Sequence, residues 1–169
     1  MREDPRVKLL HSLFASIESA TTLQQVFETV YEVFPRFLGV GRASLMLYDE
    51  KADALISDHL IGVERKGENL RSAPQLTSQS ISGRCFTTGQ PVIVNDCSQT
   101  DLIPPEIVEA LQLKSTIAVP IKTADRVIGV LRVDDLQRTG RFFAPDEDFY
   151  TLVAEKLAGV IENARRPQP

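Results

Sequence analysis

The sequence of 169 residues has no tryptophan, only two cysteines and two histidines, and few aromatic side chains. Two cysteines cannot form the disulfide framework of a small secreted domain, and Cys85 and Cys97 lack the paired spacing of a zinc site. The low aromatic share removes the stacking surfaces on which single-stranded nucleic acid would lie. We therefore expect no disulfide framework, no metal site and no nucleic-acid partner.

Long apolar runs and an excess of charge are missing as well. No stretch approaches the roughly 20 apolar residues of a membrane-spanning helix, and the first residues lack the apolar stretch of a signal peptide. The 19 basic residues stand against 23 acidic ones, and a net charge of -4 gives no attraction to a polyanion. We expect one cytoplasmic domain over residues 1–166, with residues 167–169 as a linker stub and no membrane insertion.

Apolar side chains recur at helical spacing near both ends of the chain. Pro5 suits the first turn of a helix, and Thr22 followed by Gln25 has the form of a capping box for a second one. The clearest pattern is the last, which repeats at steps of three and four for over four turns. The predicted helices span residues 1–20, 22–38, 80–88, 104–114 and 146–166.

Elsewhere the side chains alternate with the period of a strand. The predicted strands span residues 42–48, 54–61, 91–95, 115–122 and 127–135. Short polar connections pair the first strand with the second, and the fourth with the fifth, as antiparallel hairpins. The polar stretch 63–80 predicts a long surface loop.

The two faces of the predicted sheet differ in character. One face is aliphatic and suits packing on helices: Leu45, Leu47, Ile117, Val119, Ile121, Leu131 and Val133. The other face is mixed: Ser44, Met46, Tyr48, Thr116, Ala118, Pro120, Arg132 and Asp134. A partly polar sheet face under loops and short helices is typical of a small-ligand pocket, and a solvated face is the alternative. Met46, Ala118 and Pro120 suit water poorly, which favours the covered pocket.

Four segments, in order and spacing, resemble GAF domains. They are 81–96 (ISGRCFTTGQPVIVND), 114–121 (KSTIAVPI), 126–134 (RVIGVLRVD) and 142–147 (FFAPDE). The resemblance implies an α+β fold with a central six-stranded antiparallel sheet, the N- and C-terminal helices on one face and a ligand pocket on the other. It also implies a regulatory, small-molecule-sensing domain of a signal-transduction protein, such as a sensor kinase, chemoreceptor, cyclase or transcription regulator.

The resemblance further implies a homodimer formed through the terminal helices, which would couple ligand occupancy to an output domain. Five apolar residues are candidates for such a seam, and simple packing in the core is the alternative for each. They are Leu9, Leu13, Ile17, Leu157 and Ile161.

Departures from the family pattern narrow the expected ligand. Members that bind cyclic nucleotides carry Asn-Lys before the segment that matches 142–147, and the lysine pairs with the aspartate of that segment. Here Asp134 and Asp135 stand at the Asn-Lys position, and an acid cannot supply the lysine's charge. Bilin-binding members use a cysteine followed by histidine, which this chain lacks, and haem would depend on His59 alone. We expect no haem or bilin, and the ligand stays unidentified.

The enzymatic alternative is a stand-alone reductase similar to free methionine sulfoxide reductase, which has a GAF fold. Residues 83–86 resemble its Gly-Val-Cys-Gly segment, and its chemistry needs an attacking thiolate and a resolving thiol, here Cys85 and Cys97. A further cysteine of that type has no counterpart over 98–115, and Arg132 replaces an aspartate. A dimerising scaffold that binds nothing is the third hypothesis, preferred if the chain's own side chains fill the pocket.

We predict ten ligand-binding residues and no catalytic one. Arg132 is singled out, because a guanidinium in a covered pocket needs an anion, either Asp134 or a ligand carboxylate or phosphate. A solvated arginine is the alternative. The ligand is a small molecule, for which an anion is one candidate class. The predicted residues are Ser44, Met46, Cys85, Asp96, Cys97, Ile107, Leu111, Thr116, Arg132 and Asp134.

Overall fold

The computed structural model describes residues 4–51, 53–57 and 80–166. Their helices are α1 (Pro5–Glu18), α2 (Leu23–Glu28), α3 (Phe34–Leu38), α4 (Ile81–Thr88), α5 (Pro105–Leu111) and α6 (Ala144–Arg165). Their strands are β1 (Arg42–Asp49), β2 (Ala54–Ile56), β3 (Val92–Val94), β4 (Ser115–Lys122) and β5 (Val127–Asp135). The predicted loop over 63–80, except Ser80, as well as His59 and the stub 167–169, lie outside the described residues.

The second predicted helix contains a π-helical turn in its middle. A π-helical segment, Thr29–Val33, joins α2 to α3, and the Phe34 N–H donates to the carbonyl of Thr29, five residues back. Pro35 has no N–H to donate, and its ring crowds the preceding turn, so the wider π-helical turn accommodates it. The helix ends at Gly39, whose φ of 65° is left-handed.

The strands form one antiparallel sheet in the order β2-β1-β5-β4-β3. Both predicted hairpins are confirmed, and β5 lies between β1 and β4 at the centre. Arg132 of β5 is paired with Ser44 and Ala118, and Asp134 is paired with Thr116. The described part of the chain has five strands, one fewer than the family resemblance implies.

The helical side of the sheet holds the larger of two apolar clusters. The aliphatic sheet face predicted from sequence packs there against α1, α2, α3 and α6. Leu13, Ile17, Leu157 and Ile161 are buried in this same cluster, and Leu9 packs on it. Of the two alternatives for these five residues, packing in the core is the one that the structure shows, because their apolar stripes face the sheet inside the domain. No helix in the described ranges has the length and apolarity needed to cross a membrane.

The first and last helices lie alongside each other. Arg6, at the start of α1, is 3.7 Å from a carboxylate oxygen of Asp146, at the start of α6. Glu18, at the end of α1, forms an ion pair with Lys156 of α6. Two ion pairs twelve residues apart on α1 thus fix how the two helices are aligned.

Arg141 joins two buried carboxylates at the edge of the sheet. Its guanidinium lies 3.6 Å from Asp135, at the end of β5, and 3.7 Å from Asp146. The two aspartates are 2% and 8% exposed. Asp146 also accepts the Phe143 N–H at 2.8 Å and so caps α6. Asp135 occupies the lysine position of the family pattern, and a loop arginine provides the cation instead.

We expect Arg141→Met to lower the free energy of unfolding by about 3 kcal/mol, because each of the two buried carboxylates then keeps only a largely exposed arginine, Arg138 or Arg6, as its cation. Arg138→Met is the matched control. Arg138 lies 3.4 Å from Asp135, but its side chain is 62% exposed, so its loss should cost less than about 1 kcal/mol. Urea unfolding followed by circular dichroism measures both values. Equal losses in the two variants would contradict the role given to Arg141.

The destabilisation should also depend on pH. Burial raises the pKa of Asp135, but the Gln137 and Arg138 N–H groups and the Arg138 and Arg141 charges outweigh it, so the pKa is lowered overall. A carboxyl with a lowered folded pKa contributes stability above its unfolded pKa of about 4, and loses it as the pH falls further. The difference between wild type and Arg141→Met should therefore shrink below about pH 4.

Candidate functional site

The sheet face opposite the terminal helices is covered. The helix α4 and the segment 97–113 lie across it and enclose the second apolar cluster. Its members are Met46, Leu55, Ile81, Cys85, Val94, Cys97, Ile103, Leu113, Ala118 and Val130. The expectation of a covered face is confirmed, and the solvated alternative is wrong.

Local sequence explains why α4 lies so close to the strands. The Ser80 hydroxyl accepts the Gly83 N–H at 3.0 Å and begins the helix, and Gly89 ends it with a φ of 67°. Ser82 and Gly83 are buried, and their small size lets the helix backbone approach β4 and β5. Ile81 and Cys85, four residues apart, then point into the second cluster.

A polar cluster is built into this covered face from β4 and β5. The carboxylate of Asp134 accepts the Thr116 hydroxyl at 2.6 Å and the Arg132 Nε at 2.9 Å. Arg132 Nε is also 3.2 Å from the Thr116 hydroxyl oxygen. Thr116 and Asp134 are 0% and 1% exposed, and the Arg132 side chain is 18% exposed. Three predicted site residues therefore form one hydrogen-bonded unit, which we call the Thr116–Arg132–Asp134 cluster.

Two further predicted residues adjoin this cluster. Ser44 lies opposite Arg132 across the β1–β5 pair and is buried. Cys97 is buried in the short 3-10 turn Cys97–Gln99, where its pKa responds to the charges of both Arg132 and Asp134. The structure thus brings together seven predicted residues on or against this face: Ser44, Met46, Cys85, Cys97, Thr116, Arg132 and Asp134.

Three predicted residues are not buried against the covered face. Ile107 and Leu111 are 43% and 39% exposed, because α5 packs through Val108 on its other side. Asp96 is exposed and begins the turn by accepting the Ser98 N–H and hydroxyl at 3.0 and 2.6 Å. These two hydrogen bonds lower the pKa of Asp96. In the described geometry Ile107 and Leu111 do not form the expected apolar walls, and Asp96 is occupied as a cap.

Other residues of the face were not anticipated from sequence. Ile81, Ile103 and Leu113 contribute to the second cluster, although only the four-residue step from Ile81 to Cys85 offered a signal. At the rim, Tyr48 stacks on Phe86 of α4 with ring centroids 5.0 Å apart. This pair lies beside the covered face and joins β1 to α4.

Neither thiol has the environment of a nucleophile. Burial raises the pKa of Cys85 to about 12, and the Lys122 charge lowers it only in part. Burial likewise raises the pKa of Cys97 to about 11, against the opposing effect of Arg132. At neutral pH this leaves about one thiolate in 10⁴ molecules or fewer, whereas catalytic cysteines have lowered pKa values. The geometry therefore suits two small apolar side chains.

The model of the GAF domain family matches residues 20–162. The chain belongs to the GAF domain family. Among curated proteins it is similar to the Nif-specific regulatory protein of Rhizobium etli, at 33% identity over 82 residues. The match covers 44% of this chain and 14% of the length of that regulator.

Solved structures share the GAF fold over nearly the whole chain. The GAF domain of a phosphoenolpyruvate-protein phosphotransferase from Coxiella burnetii has a TM-score of 0.76 at 18% identity, covering 95% of this chain and 94% of that one. A free methionine-R-sulfoxide reductase from Neisseria meningitidis has a TM-score of 0.74 at 20% identity, covering 98% and 95%. At such identities the likeness establishes the fold alone.

The thiols of this GAF domain should resist modification. We expect Cys85 and Cys97 to react with a disulfide reagent such as DTNB only after unfolding in guanidinium chloride, because burial blocks access and suppresses the thiolate. The matched control is Ser98→Cys, which places a thiol at an exposed position of the same turn and should react rapidly in the folded protein. A folded wild type that reacts as fast as this variant would contradict the assignment.

Proposed function

We propose that this GAF domain is a regulatory sensor of a cytoplasmic signal-transduction protein. It binds a small molecule between the second face of the sheet and the segment 81–113. The Thr116–Arg132–Asp134 cluster carries the proposal, because a core that served packing alone would gain nothing from charged groups in its interior. Similarity to a Nif-specific regulatory protein supports the regulatory setting.

The two faces of β5 provide a route from ligand to output. Arg132 and Asp134 alternate along the strand with Leu131 and Val133, which are buried in the larger cluster, and β5 is paired with β4, the strand against which α6 packs. A ligand that moves the strands from the covered side therefore also moves the sheet surface against which α6 packs. This arrangement supports signal transfer through the terminal helices.

The fold is compatible with a reductase, but the environment of the two thiols is not. Sulfoxide reduction requires a thiolate to attack the sulfur and a second thiol to resolve the product. The buried thiols of Cys85 and Cys97, with raised pKa values, do not offer this. We therefore propose that the domain itself is not an enzyme.

Native mass spectrometry of the full-length protein, purified from its source, tests ligand binding. We expect a peak heavier than the chain by the mass of one small molecule, which disappears under denaturing conditions. The same preparation should not reduce free methionine sulfoxide in the presence of a thiol reductant. Turnover that is lost on Cys85→Ser, but kept by Ser98→Ala, would overturn the sensor proposal in favour of a reductase.

We also propose that the domain dimerises through the outer sides of α1 and α6. Leu152 is 45% exposed on α6, Gly159 is exposed two turns further along, and Val7 of α1 is 40% exposed. A glycine inside a helix costs about 1 kcal/mol relative to alanine, and nothing lies within 4 Å of a Cβ added at Gly159. Space for a second helix at this position is consistent with both facts.

Leu152→Glu should raise the dimer dissociation constant about tenfold or more, because it places a charge in an apolar contact. Phe37→Glu is the control: Phe37 is 43% exposed but belongs to α3. Sedimentation equilibrium measures both. A wild type that stays monomeric at high concentration, or an equal effect of Phe37→Glu, would contradict this interface.

A further inference from the structure

The two ends of the Arg132 guanidinium differ: Nε is hydrogen-bonded within the sheet, whereas the two terminal nitrogens have no partner among the described residues. Nε donates to Asp134 and lies within reach of Thr116, but neither terminal nitrogen has a hydrogen-bond partner among residues 4–51, 53–57 and 80–166. Four N–H donors on a side chain that is 18% exposed therefore have no acceptor within the described part of the chain. The terminal nitrogens are not among the buried atoms without a partner, so they reach the surface of the covered face, where a ligand acceptor can replace water.

The orientation of the guanidinium is set in advance. Asp134 and Thr116, which hold Nε, are both buried on the two central strands, so the plane of the group is fixed by the sheet. The outer edge of a fixed guanidinium presents two parallel N–H donors, which match the two oxygens of a carboxylate. A planar bidentate acceptor therefore fits this edge better than a single carbonyl oxygen.

The charged side chains near Arg132 favour an anionic ligand. Arg132 and Asp134 neutralise each other. Arg42 of β1 lies opposite Asp134 in the register, on the same face, and forms no ion pair with a described residue. The three groups together carry one net positive charge, and Lys122 acts as a further cation on Cys85 of the same face, so the charges around Arg132 favour an anionic ligand.

The rest of the face is apolar. Met46, Cys97 and Ile103 belong to the second cluster around the polar residues, and Ser44 adds one buried hydroxyl. Such surroundings suit the carbon skeleton of an organic acid better than a fully hydrated inorganic anion.

We propose that the small molecule sensed by this domain carries a carboxylate, which binds the two terminal nitrogens of Arg132 while Asp134 and Thr116 hold the guanidinium in place. This inference rests on the proposed ligand-binding function. It deepens that function by naming a chemical class and one specificity-determining residue.

The first test needs no variant. Ligand-observed NMR compares the wild-type chain with propionate, with propionamide as its uncharged isostere, and with inorganic phosphate. We expect propionate to bind at least about tenfold more tightly than either comparison compound, since a charge-assisted bidentate pair is about twice as strong as a neutral hydrogen bond. Equal binding of acid and amide, stronger binding of phosphate, or no binding of propionate overturns the inference.

The second test assigns the carboxylate to Arg132. Arg132→Gln should weaken propionate binding by about 10- to 100-fold, and Arg132→Lys, which keeps the charge but loses the fork, by about tenfold. Arg126→Gln is the matched control, because Arg126 is exposed just before the start of β5 and pairs with Glu50. Circular dichroism and urea unfolding verify that each variant is folded. Unchanged affinity in a folded Arg132→Gln overturns the inference.

The two proposals fail in different ways. A retained molecule without a carboxylate, found by native mass spectrometry, together with no preference for propionate, overturns the carboxylate class and leaves the sensor function standing. No retained molecule, together with no binding of propionate, propionamide or phosphate, overturns both.

Discussion

The pairing of β5 between β1 and β4 is the constraint on which both faces of the domain depend. Side chains alternate along β5, so Leu131 and Val133 join the helical cluster while Arg132 and Asp134 face the covered side. A slip of one residue would exchange the two sets, burying charges in the helical cluster and placing aliphatic groups in the candidate site. The hydrogen bond between Thr116 and Asp134 favours the observed register. So does Gly129, where a Cβ would clash with the carbonyl of Met46.

Much of this architecture could be predicted from sequence, because its strongest patterns are local. The strands β4 and β5 have the predicted bounds, since each alternates cleanly and a four-residue connection joins them. Seven of the ten predicted ligand-site residues lie on or against the covered face, and five of them do so for the same reason: the parity of a strand places its side chains once its pairing is known. Whether these residues bind a ligand stays a prediction.

The sequence was least informative where one local pattern is compatible with two different structures. On the short helix α5, Ile107 and Val108 are adjacent apolar residues, and fewer than two turns of periodicity cannot decide which side is buried. An apolar stripe on a terminal helix has the same sequence pattern whether it packs in a dimer or in the core, and here the stripes are buried in the core. Arg141 escaped notice because its partners, six and five residues away, are separated from it by a loop with no regular spacing, so no sequence pattern indicated that the three side chains meet.

The aligned ion pairs of the terminal helices have a directional consequence. Since Arg6 meets Asp146 and Glu18 meets Lys156, α1 and α6 point the same way along the sheet. The 22 residues of α6 extend about 33 Å, so the chain enters the fold near one pole and leaves it near the other. In a longer polypeptide, a domain with this polarity would lie between its neighbours, and a displacement of α6 along its axis would be passed to the segment that follows it. A fold whose two ends lay side by side would not connect its neighbours through its own helices.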